Sequence, residues 1–315
     1  MKYVPLGSTG VKVSELCLGT MSFGGEADED EAKRMYAACR DRGVNFFDCA
    51  DVYVKGRSEE ILGRLIKGER DNLVITSKCH GVMRDDVNAR GNNRRHIMSA
   101  VEASLKRLGT DRLDVYFMHH FDASLPIEEI LRTLENLVQQ GKVLYLGCSN
   151  YAAWQIAKAL GISERRGWSR FDVIQPMYSL LKRQAETEIL PLAASEKIGV
   201  ISYSPVAGGV LSGKYAPGQT PNAGRLVTHH KYADRYGEEG TLETAIKFAG
   251  FAREHGYDPV SLAVAWVKSH PAITAPIMGA RTAEQLTPSL NADDIDLTPE
   301  MRAEISALSR TPPLA

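Results

Sequence analysis

Asn45-Phe46-Phe47-Asp48-Cys49-Ala50-Asp51-Val52-Tyr53 carries an apolar run into an acidic and phenolic tip. Phe46 and Phe47 read as the end of a buried strand, with Asp48, Asp51 and Tyr53 at or just past its C-terminal edge. Three later runs end in the same way: Leu73-Val74-Ile75-Thr76-Ser77-Lys78, Leu113-Asp114-Val115-Tyr116-Phe117-Met118-His119 and Val143-Leu144-Tyr145-Leu146-Gly147-Cys148-Ser149-Asn150. Parallel α/β barrels build their sites at the C-terminal ends of their strands, so reactive groups at four successive tips predict one face of such a barrel.

Outward from this stretch the unit repeats. Strand starts near 16, 45, 73, 113, 143, 172 and 199 lie roughly 27–40 residues apart, close to the ~30 of a strand–helix–strand unit. Helices are predicted near 28–42, 58–67, 94–108, 126–140, 152–160 and 186–197. In the first of them acidic residues crowd the opening turn, Ala32, Met35, Tyr36 and Cys39 recur at helical spacing, and Gly43 stops it. Gly109 and Gly141 stand where helix-ending glycines belong. The strands are continuous apolar runs, as expected for a sheet covered on both faces, and Ala272-Ile273-Thr274-Ala275-Pro276-Ile277-Met278 supplies an eighth.

Residues 3–13 read as a hairpin, Tyr3-Val4-Pro5-Leu6 and Val11-Lys12-Val13 around Gly7-Ser8-Thr9-Gly10, expected to close the bottom of the barrel. The rhythm breaks once, at 205–240, which is rich in Gly, Pro, polar and aromatic residues and reads as a long functional loop. Helices near 241–255 and 258–269, one from Thr282 and one over 298–309 complete the chain. No longer repeat, low-complexity tract or linker interrupts it. The expectation is an α/β protein whose residues 1–315 form a single parallel eight-stranded (β/α) TIM-type barrel, with an N-terminal hairpin, extra helices and a long loop after strand seven.

At 315 residues the chain exceeds the usual domain, yet α/β barrels run to about 250 residues or more as one domain. With 43% hydrophobic residues it can fill a large core. A formal charge of -1 gives no electrostatic reason to expect nucleic acid or an anionic membrane as partner. No apolar run approaches the ~20 residues of a transmembrane helix, and Met1-Lys2-Tyr3-Val4-Pro5 lacks the apolar segment of a signal peptide. Five cysteines (17, 39, 49, 79 and 148) show no CxxC spacing, and a reduced, cytoplasmic protein is expected. The oligomeric state leaves no signature.

Several segments together resemble the aldo-keto reductases over nearly the whole chain. They are Leu6-Gly7-Ser8-Thr9-Gly10, Leu18-Gly19-Thr20-Met21, Phe47-Asp48-Cys49-Ala50-Asp51-Val52-Tyr53 with Ser58-Glu59, and Thr76-Ser77-Lys78. Asp114-Val115-Tyr116-Phe117-Met118-His119, Gly147-Cys148-Ser149-Asn150, Tyr203-Ser204-Pro205 and Gly213-Lys214-Tyr215 follow in order and spacing. The resemblance implies a catalytic tetrad of Asp48, Tyr53, Lys78 and His119, and elementary chemistry suits each role. Reducing a carbonyl needs a hydride on carbon and a proton on the developing alkoxide. A phenol, with an ordinary pKa near ~10, keeps a proton to give at neutral pH. An ammonium beside it stabilises the phenolate and is expected to lower that pKa towards working pH. Lys78 would supply that charge, Asp48 would hold and compensate the lysine, and His119 would orient the carbonyl oxygen.

No GxGxxG follows an early strand, so a Rossmann domain is not indicated. The resemblance instead places a nicotinamide cofactor across the barrel mouth. It gives Ser149, Asn150 and Gln175 to the carboxamide, Tyr203 to stacking on the ring, and the backbone from Ser204 through Pro205, Val206 and Gly208 to Leu211 to the pyrophosphate. Gly19, Thr20, Met21, Asp48 and Lys214 complete that set. Gly279-Ala280-Arg281-Thr282 follows strand eight and opens a helix, where amides and a guanidinium can clamp phosphate. The resemblance assigns this spot to an adenosine 2′-phosphate, which favours NADPH over NADH, with Gln285 further along the helix. Pro288 and Ser289 depart from the family's Glu and Asn, leaving the adenine contacts open.

A substrate pocket is expected from Met21, Phe23, Val54, His120 and parts of 205–240, including Tyr215, Leu226, His229, His230 and Tyr232. His119-His120 invites a metal reading, but neighbours on a strand point to opposite faces, and no HxH, HExxH or carboxylate cluster supports it. His120 then lines the pocket or is a polar strand end. The expected activity is NADPH-dependent reduction of a small aldehyde or ketone. One alternative is NADP⁺-dependent oxidation of a sugar or secondary alcohol by the same groups. Another is an NADPH-binding regulatory subunit with little turnover, like the channel β-subunits of the superfamily. Those are expected to carry extra N-terminal segments, and this chain begins almost at the hairpin.

Overall fold

The computed structural model describes residues 1–215 and 234–312. Strands β1 (Tyr3–Pro5) and β2 (Lys12–Ser14) form an antiparallel hairpin. Eight further strands follow: β3 (Cys17–Gly19), β4 (Phe46–Asp48), β5 (Val74–Cys79), β6 (Leu113–Met118), β7 (Val143–Ser149), β8 (Phe171–Gln175), β9 (Gly199–Ser202) and β10 (Ala275–Met278). They close into a barrel in the order β10-β3-β4-β5-β6-β7-β8-β9 with every pairing parallel, the TIM-type fold expected from the spacing.

Helices surround the barrel, and their ends follow from local chemistry. Helix Glu29–Asp41 starts where the Asp28 side chain accepts from the Glu31 amide, and Arg94–Leu108 where Asn93 accepts from His96. Boundaries shift by a few residues in several elements, most in one. The helix expected near 152–160 spans Ala153–Arg166, carrying Gly161 inside it; Gly167, at φ 65°, provides the left-handed stop. In the 205–240 stretch, Ala207–Ser212 forms short 3₁₀ turns; Leu226, His229, His230 and Tyr232 fall outside the described residues. Among the described residues, no helix is long and apolar enough to cross a membrane.

Side chains alternate across each strand. Cys17, Phe46, Val74, Val115, Phe117, Val173, Ile201, Ala275 and Ile277 cluster with Leu6 and Val13 of the hairpin region, forming an apolar plug inside the barrel. Their strand neighbours Leu18, Phe47, Ile75, Tyr116, Met118, Leu146 and Ile174 belong to the larger cluster shared with the helices. The hairpin closes the lower end as expected: a Cβ on Gly7 would lie 2.5 Å from the Gly199 amide nitrogen, at the start of β9, and Tyr145 donates to the Thr9 carbonyl at 3.2 Å.

Candidate active site

The same alternation that fills the plug decides what stands above it. Two residues beyond Cys17, Phe46, Phe117, Val173 and Ile201 come Gly19, Asp48, His119, Gln175 and Tyr203, and these five line one cavity of about 690 Å³. Lys78 lies in the same parity on β5, four residues beyond Val74. Strand register brings the tips level: Gly19 pairs with Asp48, Asp48 with Thr76, and Ser149 with Gln175.

Lys78 is fully buried, and its ammonium donates to Asp48 Oδ1 and Oδ2 at 2.8 and 2.7 Å, to the Cys49 carbonyl at 2.6 Å and to the Tyr53 hydroxyl at 3.3 Å. Burial, the largest influence, would lower the lysine pKa, but the Asp48 carboxylate, together with Tyr53 and Cys49 beside it, holds the group above its ordinary value, so it stays charged. Asp48 also accepts from Thr76 Oγ1 at 2.7 Å and Gln175 Nε2 at 2.9 Å. An ion pair this deep persists only when such additional hydrogen bonds compensate its lost hydration.

Burial pushes the Tyr53 phenol up to about 12, against the pull of Lys78. The expected net acidification is therefore not what the geometry gives. Asp48 raises the phenol's pKa while Lys78 lowers it, and desolvation of the phenolate exceeds what remains. His119 packs edge-on to Tyr53, ring centroids 6.0 Å apart at 79°. Burial, then the Lys78 charge, lowers its pKa to about 2, so the imidazole is neutral across the working range. His120 stacks on His119 at 5.1 Å and lines the cavity. Among the described residues, no group of three or more His, Cys, Asp or Glu is arranged to hold a metal ion.

Most residues expected at a cofactor line this cavity: Met21, Ser149, Asn150, Ser204, Pro205, Val206, Gly208, Lys214, Gly279, Arg281 and Gln285, as well as those already placed. Asn150, at φ 58°, donates to the His119 carbonyl at 2.9 Å and accepts from the Tyr203 hydroxyl at 2.8 Å. Gly209, at φ 90°, leaves room that a Cβ would take, 2.9 Å from the Lys214 ammonium.

Six expectations are placed elsewhere, among them Tyr215, which packs against the apolar core and is not among the lining residues. Thr20 is fully buried beneath the wall, its hydroxyl donating to the Asp48 carbonyl at 3.1 Å. Leu211 and Phe23 belong to the apolar core, both with no exposed surface, because their apolar side chains find burial there. Thr282 caps helix Ala283–Leu290 by accepting from the Gln285 amide, and is not among the lining residues. Val54 is exposed against Gly25 and also lies off the cavity wall. His229 lies outside the described residues. Sequence reasoning missed Thr76, whose signal was its parity with Lys78 on β5. It also missed Ser22, Arg235 and Val260, which line the cavity from loops and helices that carry no comparable periodic signal.

Comparison with known proteins agrees with this geometry. The profile of the Aldo/keto reductase family matches residues 15–310. The uncharacterized oxidoreductase YrpG of Bacillus subtilis (strain 168) is 39% identical over 96% of this chain and 94% of that protein. A probable voltage-gated potassium channel subunit beta of Oryza sativa subsp. japonica is 37% identical, over 99% and 98%. Versiconal hemiacetal acetate reductase of Aspergillus parasiticus is 32% identical, over 95% and 94%. An eight-stranded barrel whose strand tips converge on one cavity, matched by that profile nearly end to end, makes the chain an oxidoreductase-type member of the aldo/keto reductase family.

Proposed function

We propose that this protein reduces a small aldehyde or ketone to the alcohol with NADPH, using Asp48, Tyr53, Lys78 and His119. The observation that carries the reading is the Tyr53 hydroxyl, 3.3 Å from a fully buried ammonium that is itself fixed by Asp48. The lining residues suit a nicotinamide dinucleotide: amide and hydroxyl groups from Ser149, Asn150 and Gln175, the Tyr203 ring, and the cations Lys214 and Arg281 along the same cavity. Bound there, the dinucleotide supplies the hydride. Tyr53 keeps its proton at neutral pH and gives it to the carbonyl oxygen. Lys78 stabilises the phenolate left behind, and Asp48 compensates the lysine so that the pocket never holds an unpaired cation. His119, neutral, acts as a hydrogen-bond donor that orients the carbonyl oxygen rather than as an acid.

The same groups run oxidation in reverse, Tyr53 then accepting the alcohol proton, so rising pH favours that direction. The five cysteines are free and buried, which accords with a reducing, cytoplasmic setting. Met21 and His120 border the space left for the substrate. Steady-state reduction of aromatic aldehydes by Tyr53→Phe tests the reading: loss of the general acid lowers kcat by at least ~10²-fold. Unchanged turnover would remove Tyr53 from the mechanism. The likeness to the Oryza sativa protein supports a second reading, an NADPH-binding regulatory subunit. Very slow cofactor release with a competent single hydride transfer would favour it; fast multiple turnover would eliminate it.

A further inference from the structure

Arg281 follows β10, lines the cavity, and in the proposed reading clamps the cofactor's 2′-phosphate. In the structure that guanidinium is already engaged: its Nη2 lies 2.7 Å from the carboxylate of Glu26. Glu26 belongs to the loop leaving β3, and β3 is the barrel neighbour of β10, so the pair bridges the first and last strand-to-helix connections. A second carboxylate sits alongside. Glu31 accepts from the Ala283 amide at 3.1 Å, the first residue of helix Ala283–Leu290. Carboxylates thus occupy an edge of the guanidinium and an amide at the helix start, the donors an anionic phosphate would use.

From this juxtaposition we infer that Glu26 is a specificity-determining residue that opposes 2′-phosphate recognition and narrows the preference for NADPH over NADH. A phosphate can take up Arg281 only by displacing the Glu26 carboxylate. The displaced charge remains within a Debye length of about 8–10 Å and continues to repel the phosphate. The side chains of the pair are 28% and 32% exposed, so displacement is affordable and the site stays usable. A 2′-hydroxyl carries no charge and meets neither penalty.

The inference rests on the assignment of Arg281 to the 2′-phosphate, and the test separates the two. Calorimetric titration of the full chain uses 2′,5′-ADP and 5′-AMP, which differ only in that phosphate, and is repeated by fluorescence with NADPH and NADH. E26Q tightens 2′,5′-ADP and NADPH by roughly 3- to 10-fold, the scale of an exposed charge pair plus one removed repulsion, and leaves 5′-AMP and NADH within about 2-fold. The gain shrinks as salt rises. Arg281→Ala abolishes the preference for 2′,5′-ADP over 5′-AMP. If Arg281→Ala does so but E26Q weakens or leaves unchanged the 2′,5′-ADP affinity, the inference is overturned and the cofactor assignment survives. If the preference survives Arg281→Ala, both are overturned.

Discussion

Two layers of the same strands, two residues apart, meet opposite requirements. In the lower layer Phe46, Phe117, Val173 and Ile201 fill the barrel with hydrocarbon; in the upper one Asp48, His119, Gln175 and Tyr203 surround a cavity. The lower layer depends on volume. A Cβ on Gly147 would stand 2.4 Å from the Phe117 ring, so the space is filled to contact. The upper layer depends on charge balance, since Lys78 and Asp48 are 0% and 2% exposed and neither has water to fall back on.

Breaking each layer once should give losses of equal size and different character. Phe117→Ala opens a cavity in the plug and costs about 3–5 kcal/mol of folding stability, the same at pH 5 and pH 8. Lys78→Met leaves Asp48 buried without its counter-charge and costs a similar ~3–5 kcal/mol near neutral pH. That second loss shrinks on acidification, because protonating Asp48 removes the uncompensated charge. Urea unfolding of both variants at the two pH values reads the difference. Two pH-independent losses would mean that the ion pair contributes only shape.

Asp51 sharpens the comparison because it belongs to neither solution. It is fully buried just past β4, and neither carboxylate oxygen has a hydrogen-bond partner among the described residues. Burial, then the neighbouring Glu59 carboxylate, pushes it up to about 7. Glu59, also fully buried, is satisfied by Ser77 at 2.5 Å and by Arg107 at 2.7 Å. A carboxyl whose folded pKa exceeds its unfolded value of about 3.9 binds protons more tightly when folded, so stability falls as pH rises from about 4 to about 7 and levels off above. Asp51→Asn removes that dependence. Its stability relative to the unsubstituted protein should improve by on the order of 2–4 kcal/mol between pH 4 and pH 8. Parallel thermal unfolding curves across that range would show that Asp51 is not held this way.

Strand tips, helix phases and the closing of the barrel were legible because each is written locally, in apolar runs and in helix-ending glycines such as Gly109. The cavity was legible one step later, since a fixed parity along each strand carries Asp48, His119 and Gln175 to one side. What could not be read were balances between distant terms. The Tyr53 phenol ends near 12 because desolvation exceeds a Lys78 charge already shared with Asp48, and no spacing reveals that sum. The Arg281–Glu26 pair joins opposite ends of the chain, and nothing near either residue announces the other. Thr20 and Phe23 illustrate the converse: they flank Met21 and Ser22, which line the cavity, yet burial takes both out of it.

The smallest effect concerns the joint between the layers and the loop that presents Tyr53. Val54 and Lys55 both take left-handed backbone, at φ 48° and 54°, directly after the proposed proton donor. For a β-branched residue this conformation is an outlier that costs about 1–2 kcal/mol, and such strain persists where surrounding structure enforces it. Val54→Gly removes the strain but gains unfolded-state freedom worth roughly 0.5–1 kcal/mol, so stability should rise by no more than about 1.5 kcal/mol. Turnover should move the other way. The strained turn fixes where the Tyr53 hydroxyl stands relative to Lys78, and a glycine at 54 lets that 3.3 Å contact wander, lowering kcat a few-fold with KM little changed. A variant both more stable and fully active would show that the turn is tolerated there rather than used, and that the pocket walls alone position the phenol.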